Sequence, residues 1–241
     1  METWIEVAGL TIRSPVTAFT NLLLSVQCCV YWRRLRSRRA DRAGYWWLFF
    51  LAMAVATLAG VPKHGLRHVL PADVYLFVLW TSSLGSAASV YCAQRATLAS
   101  AALNAGDGRL VRLCALQACV FLGANVALGP EMWLIVVHTA VGLIPVIGAE
   151  ALAARRGSRR AMWIAGGLGV SLLTGVVYVG RLSLGAWFNH IDVAHALMGV
   201  SFWLIVKGAP AAGSHGRTRP AEVRARAKAS LGSLVGLQEQ A

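Results

Sequence analysis

Charge is what this chain has least of. Only 14% of its 241 residues are Asp, Glu, Lys or Arg, while 57% are hydrophobic. Soluble domains carry about 25% charged residues, so this balance argues against a water-soluble globular enzyme. Acidic residues are scarcest, 10 against 23 Lys and Arg, for a formal charge of +13. Met1–Leu10 holds two Glu and no Lys or Arg, so it lacks the basic start of a signal peptide. No internal repeat, zinc-knuckle spacing or phosphate-binding P-loop occurs. Five cysteines are present, and Cys28–Cys29 and Cys114–Cys119 cannot share a helix face at spacings of one and five. They are expected as small buried hydrophobes, not as disulfides or ligands.

What the chain has is length of apolar run. Seven stretches stand out: Ser14–Trp32, Gly44–Val61, Asp73–Tyr91, Leu110–Leu128, Met132–Leu152, Ala161–Gly180 and His190–Lys207. A bilayer crossing takes about 20 residues at ~1.5 Å each, so each run is long enough. The positive charges sort with them. The segments after the first, third, fifth and seventh runs hold 19 of the 23 Lys and Arg, including Arg33, Arg34, Arg36, Arg155, Arg156 and Lys207. The opposite side has only Arg13, Lys63, Arg67 and Arg181. By the positive-inside rule the expected fold is all-α and polytopic, with seven transmembrane helices, N-terminus out and C-terminus in. Residues 1–13 form an outer segment, 14–208 the membrane domain and 209–241 a basic cytoplasmic tail facing anionic lipid. Charge spread over every inner loop leaves no concentrated patch for a nucleic acid, so membrane lipids are the expected partners. The excess of Arg over Lys, 20 to 3, points to a GC-rich genome and a bacterial inner membrane.

Trp32, Tyr45, Trp46, Trp47 and Trp163 fall at the predicted inner interface and Trp133 and Trp187 at the outer one, as amphipathic rings prefer. Trp80 and Trp203 lie deeper and are expected to pack internally. Ser82 with Ser86 and Gly167 with Ser171 would let helices approach closely. Thr17, Asn21 and Ser25 form an i, i+4 polar stripe that reads as a helix contact.

Polar groups in such helices are costly and usually face the bundle interior. Here they gather at one level. His64 and His68 follow the second run, where Pro62 bends or ends the helix. Asp73 opens the third run, His138 lies one to two turns into the fifth, and His190, Asp192 and His195 open the seventh. Asn21, Asn125, Tyr178, Arg181 and Asn189 join that outer layer. Asp192 and His195, three apart, share a helix face, whereas His190 and His195 do not. A plainer reading makes Asn189 an N-cap and Asp192 the acid of a capping box, and Asp73 a helix-start acid. His195, almost a turn deeper, is left unexplained by it. Histidine and carboxylate together suit a catalytic zinc, which takes about three protein ligands and activates a water.

Seven helices, a His ending the second, an Asp at the third and a His-bearing start to the seventh, NHIDVAH, resemble the alkaline ceramidase-like (CREST) superfamily. That group includes adiponectin-receptor and hemolysin-III-type proteins. The resemblance covers roughly residues 14–208. It implies a metal held by one His of the second helix and two of the last, assisted by a Ser and an Asp, and hydrolysis of lipid amides. Carried over, His64 or His68 matches the second-helix ligand, Asp73 the acid and His195 one last-helix ligand. Two positions depart from the pattern. Gly60 stands where a Ser would precede His64 by four, and Ile191 stands four before His195, so Asp192 or His190 must substitute as ligand.

The resulting expectation is an integral membrane zinc-dependent hydrolase of a lipid amide or ester. His64 or His68, Asp192 and His195 would bind zinc, with His190 as a substitute, and Asp73 would act as general base or orienting group. The rival is a non-catalytic receptor or small transporter using the same outer layer. A haem protein with paired histidines is a weaker third.

Overall fold

The computed structural model describes residues 3–37, 44–100 and 108–209. A short antiparallel hairpin, β1 (Trp4–Val7) and β2 (Leu10–Arg13), precedes seven helices. These are α1 (Pro15–Arg36), α2 (Gly44–Gly65), α3 (Ala72–Ser100), α4 (Gly108–Leu128), α5 (Met132–Arg155), α6 (Arg159–Val179) and α7 (His190–Gly208). All seven expected helices form, with ends that match the apolar runs to within a few residues at most boundaries. The exception is α3, which continues to Ser100 because Ala93, Gln94, Ala96 and Thr97 are buried against its neighbours.

Six of the helices, α2 to α7, are long and apolar enough to cross a bilayer. Large apolar residues are bare along their outsides, among them Phe77, Leu116, Val120, Val126, Ile144 and Val176, the surface of a multi-pass membrane protein. α1 is as long as α2 but less apolar on average, because Arg33, Arg34 and Arg36 fill its last turn and Thr17, Thr20, Asn21, Ser25 and Gln27 interrupt the rest. Those residues turn inward and bond, while Phe19, Leu22, Leu23, Val26 and Val30 face outward. Averaging over the helix hides a lipid-compatible face behind a polar one.

Helices pack in the cyclic order α1, α2, α3, α5, α6, α7 and back to α1, with α4 applied outside against α3 and α5. Lipid tails are as apolar as leucine, so close approach and polar bonds, not the hydrophobic effect, must hold the ring together. Small residues provide the approach. Gly85 of α3 lies against Ala52 and Ala56 of α2, and Gly167 of α6 against Ser201 and Ile205 of α7. Ser171 and Ser201 share a 2.6 Å hydrogen bond beside that contact. Of the expected small pairs, Gly167 and Ser171 therefore carry a helix interface; Ser86 instead returns its hydroxyl to Ser82 O at 2.9 Å.

At the ring's middle, Phe49, Phe50 and Phe202 meet edge-to-face with centroids 5.1 to 6.0 Å apart, the arrangement their quadrupoles favour. Trp46, in the first turn of α2, joins this core and is fully buried. Trp203 departs from the internal packing expected: it is nearly half exposed, with Lys207 Nζ 3.6 Å from its ring centroid. Arg95 stacks on Tyr45 at 4.8 Å and donates to Tyr91 Oη at 3.0 Å. These cation–ring pairs sit at the arginine-rich end of the bundle, where α1 and α7 finish. Cys28 and Cys92 are buried as expected, but Cys29 and Cys119 are exposed, and all five thiols are free.

The hairpin closes through Ala8 and Gly9, both at positive φ (51° and 79°), the two-residue geometry that matches strand twist. Its register pairs Ile5 with Ile12 and Val7 with Leu10, so one face is wholly aliphatic. Ile12 lies against the end of α2 at Gly65. The expected outer segment is thus folded and fastened to the bundle. The end where it sits, and where α1 and α7 begin, is called the hairpin end below. Most of the tail, 210–241, lies outside the described residues, as do Arg38, Arg39 and Arg42.

Candidate functional site

The start of α7 organises the hairpin end. Asn189 is its N-cap: Oδ1 accepts from Ile191 N at 2.8 Å, and the Asn189 N–H donates to Asp192 Oδ2 at 3.0 Å, a reciprocal capping box. The other carboxylate oxygen, Oδ1, accepts from Thr17 Oγ1 at 2.7 Å, and Asn189 Nδ2 donates to that hydroxyl at 3.3 Å. Thr17 and Asp192 are both fully buried. Both oxygens of Asp192 are therefore spent on structure.

One turn further in, Thr20 Oγ1 stands 2.8 Å from His195 Nδ1 and 3.1 Å from Thr17 O. A carbonyl only accepts, and threonine on a helix commonly donates to the carbonyl three residues back. For both contacts to be hydrogen bonds, Thr20 gives its one proton to Thr17 O and receives Nδ1–H from His195. Nδ1 then carries a proton, and the Thr20 hydroxyl fixes the orientation of the ring. Thr17–Asp192 and Thr20–His195 have the same sequence offset of 175, so α1 and α7 lie parallel and in register. Asp192 and His195 do share a face, and that face meets α1.

The helix α2 does not end at Pro62. It runs on to Gly65, with Leu66 N donating to Pro62 O at 3.0 Å, which puts Lys63 and His64 on its last turn. His64 and His195 lie within electrostatic range of each other, and Lys63 acts on both. Gly60, one turn earlier, is filled from another helix: a Cβ there would run into the Asn21 carboxamide, which is anchored by Asn21 Nδ2 to Thr17 O at 3.0 Å. Asn21 of α1 thus fills the place where the superfamily resemblance implies a serine side chain.

The remaining expected residues are elsewhere. His68 is exposed beyond α2, and Asp73 is exposed in the first turn of α3. The His190 ring leans on Tyr178, with centroids 5.6 Å apart. Among the described residues no three His, Cys, Asp or Glu side chains come together as a metal-ligand set. A catalytic zinc takes about three protein ligands. The donors placed together are two imidazoles beside a lysine cation, with Asp192 already bonded twice, and that set does not fit zinc.

Beside His195 lies a cavity of about 720 Å³ among α2, α3, α5, α6 and α7, within the ~300–1,000 Å³ range of small-molecule sites. Its wall is almost wholly apolar, with Met53, Leu143, Leu172, Met198 and Phe202 prominent. Several wall hydroxyls are turned onto protein partners: Ser89 donates to Ser86 O, Thr174 to Ser171 O, and Ser171 pairs with Ser201. Of the residues lining it, only His195 and Tyr178 carry a titratable group. Ile144 and Val176 line the cavity yet are 58% and 60% exposed, so it opens sideways between α5 and α6.

Two further polar clusters were not anticipated as networks. Gln117 of α4 receives Gln94 Nε2 at 2.6 Å and donates to His138 O at 2.9 Å, while His138 stacks on Phe121 at 4.3 Å. Ser83 adds a 2.8 Å bond to Asn125. His138 and Asn125 thus tie α4 to the ring, away from His195. At the arginine-rich end, Glu150 is buried, accepts from Thr97 Oγ1 at 2.8 Å and lies 4.0 Å from Arg160. Arg160 Nε reaches Gly208 O at 3.1 Å, so four helices meet there. The motif AEALAARR reads from sequence only as a helix end running into a basic loop, which hides Glu150.

The chain belongs to a family of unknown function, DUF6962, which matches residues 16–214, from the start of α1 past the end of α7. No curated protein and no solved structure matches it.

Proposed function

We propose that this protein is an integral membrane protein that admits a single-chain, lipid-like molecule into the cavity between α5 and α6 and holds its polar group at His195. The observation that carries this reading is an apolar cavity open to the side, with one imidazole in its wall held by Thr20. Hydrolysis of a lipid amide or ester is the reaction this arrangement favours. With Nδ1–H bonded to Thr20, Nε2 is free to take a proton from water next to the ligand's carbonyl. The superfamily resemblance supports the same substrate class. The charge bias of the loops supports an orientation with the hairpin end outside and the arginine-rich end in the cytoplasm of a bacterial inner membrane.

The direct test is hydrolysis of a panel of ceramides and acyl-amino acids by detergent-purified protein. Wild type should release fatty acid, and His195→Ala should lose about 10²-fold or more, the usual contribution of a general base. Release unchanged in His195→Ala would remove His195 from the chemistry. Elemental analysis of the same preparation decides the expected zinc: about one metal per chain, lost in His195→Ala, would restore a metal mechanism.

Binding has its own probe in Gly175. It lines the cavity, and a Cβ there would meet only Val136 Cγ1 at 3.8 Å, an ordinary contact. Gly175→Leu should fold normally and fill the space, weakening binding of a long-chain amphiphile about tenfold or more. Unaltered binding in this variant would show that the tail lies elsewhere.

A further inference from the structure

We infer that the phenol of Tyr178 is the cavity's second polar anchor, donating a hydrogen bond to the carbonyl oxygen of a neutral amide or ester head and holding that carbonyl beside His195. This rests on the proposed reading of the cavity and adds what the ligand's head must offer. Three observations lead to it. Tyr178 and His195 line the same cavity, one from α6 and one from α7. Contacts along those helices fix their relative level: Arg160 bonds to Gly208 O, Ser171 pairs with Ser201, and the Tyr178 ring lies 5.6 Å from that of His190. The helices therefore run antiparallel, and His195 stands level with Gly175, less than one helical turn from Tyr178. The third observation is the state of the wall's hydroxyls. Ser86, Ser89, Ser171 and Thr174 each bond to a protein group, whereas Tyr178 Oη bonds to none among the described residues. Thr139 of α5 is the other wall hydroxyl without such a bond.

A phenol O–H is a donor that needs an acceptor, and the apolar part of this wall has none to give. An amide or ester carbonyl supplies one; a bare alkyl chain does not. A few placed polar groups in an apolar pocket fix a ligand's orientation in this way. With its oxygen on Tyr178, the head turns its carbonyl carbon toward the imidazole that Thr20 orients. In the proposed hydrolysis, water bonds to that carbon, its proton passes to His195 and the C=O electron pair moves onto the oxygen. The Tyr178 O–H stands where that charge gathers and stabilises it. The C–N or C–O bond then breaks as the proton passes from His195 to the leaving amine or alcohol.

The test follows palmitamide, isotope-labelled at its carbonyl carbon, on the full chain in a non-ionic detergent, with hexadecane as the same carbon chain lacking a head. Tyr178→Phe keeps the ring against His190 and removes only the hydroxyl. It should weaken palmitamide binding about three- to tenfold, the worth of one hydrogen bond, and leave hexadecane binding unchanged. The infrared carbonyl stretch of the bound amide should move to higher frequency in this variant. A band that does not move overturns the anchor, as does equal weakening of both ligands, which would mark a packing role. Thr139→Val should leave the band in place; a shift there and not in Tyr178→Phe puts the donor on α5 and overturns the assignment. Wild type that binds hexadecane as tightly as palmitamide overturns the anchor and leaves the cavity reading standing, whereas binding of neither ligand overturns both. A band shift in a protein that releases no fatty acid supports the anchor and removes only the hydrolysis.

Discussion

Asp192→Ala is expected to destabilise the protein by about 2–4 kcal/mol, far more than a typical surface change. The carboxylate is fully buried and is the acceptor for two donors, Thr17 Oγ1 and the Asn189 backbone N–H. Removing it strands both, at about 1–3 kcal/mol for each buried group left without a partner, and it removes the Asp192 half of the capping box of α7. Asp192→Asn keeps the shape and one acceptor oxygen, so it should lose about half as much. Unfolding of detergent-solubilised protein measures both. The outcome that would remove Asp192 from this structural role is an alanine variant within about 0.5 kcal/mol of wild type. A variant that folds normally but no longer hydrolyses lipid amides would return Asp192 to the chemistry.

The second large effect should come from adding one carbon to α6. A Cβ on Gly167 would lie 2.7 Å from Ile205 Cγ1, 2.9 Å from Ser201 O and 3.0 Å from Ile205 N. Two of those atoms are backbone and cannot rotate away, so Gly167→Ala must push α6 from α7 and cost about 1–3 kcal/mol. The controls lie beside it. Gly166 and Gly169 have nothing within 4 Å of the equivalent carbon. Alanine at either should be neutral or stabilise by up to about 1 kcal/mol through helix propensity. Three thermal unfolding curves decide the matter; loss at all three positions, or at none, would mean that close approach is not what joins these helices.

Much of the fold was legible because the signals were long. Seven apolar runs separated by arginines gave helix number and nearly all the ends. Pairings within α7 were also legible, since Asn189 with Asp192, and Asp192 with His195, are set by helix periodicity alone. What joins distant helices was not. The stripe Thr17, Asn21, Ser25 could be read as a contact, but nothing in it names Asp192, Gly60 and Ala54 O as the partners that the structure supplies. Thr20 is one residue off that stripe and so escaped notice, though it holds His195. Lys63 counted only as a topology mark, because a single lysine near a helix end ordinarily faces water. The hairpin had a readable signal in WIEV-AG-LTIR, whose aliphatic residues alternate about a two-residue turn, overshadowed by the much longer helices.

The parallel register of α1 and α7 has a consequence for biogenesis. The ring has one seam, and it joins the first helix made to the last. Until α7 emerges, Thr17, Thr20 and Gln27 lack their partners on another helix, Asp192, His195 and Gly199 O, and Thr20 and Gln27 keep only bonds within α1, to Thr17 O and Tyr31 Oη. A nascent chain thus carries its most polar helix unfastened through most of synthesis. The site around His195 exists only after the final insertion step, so a prematurely terminated product would contain most of the bundle and none of that site.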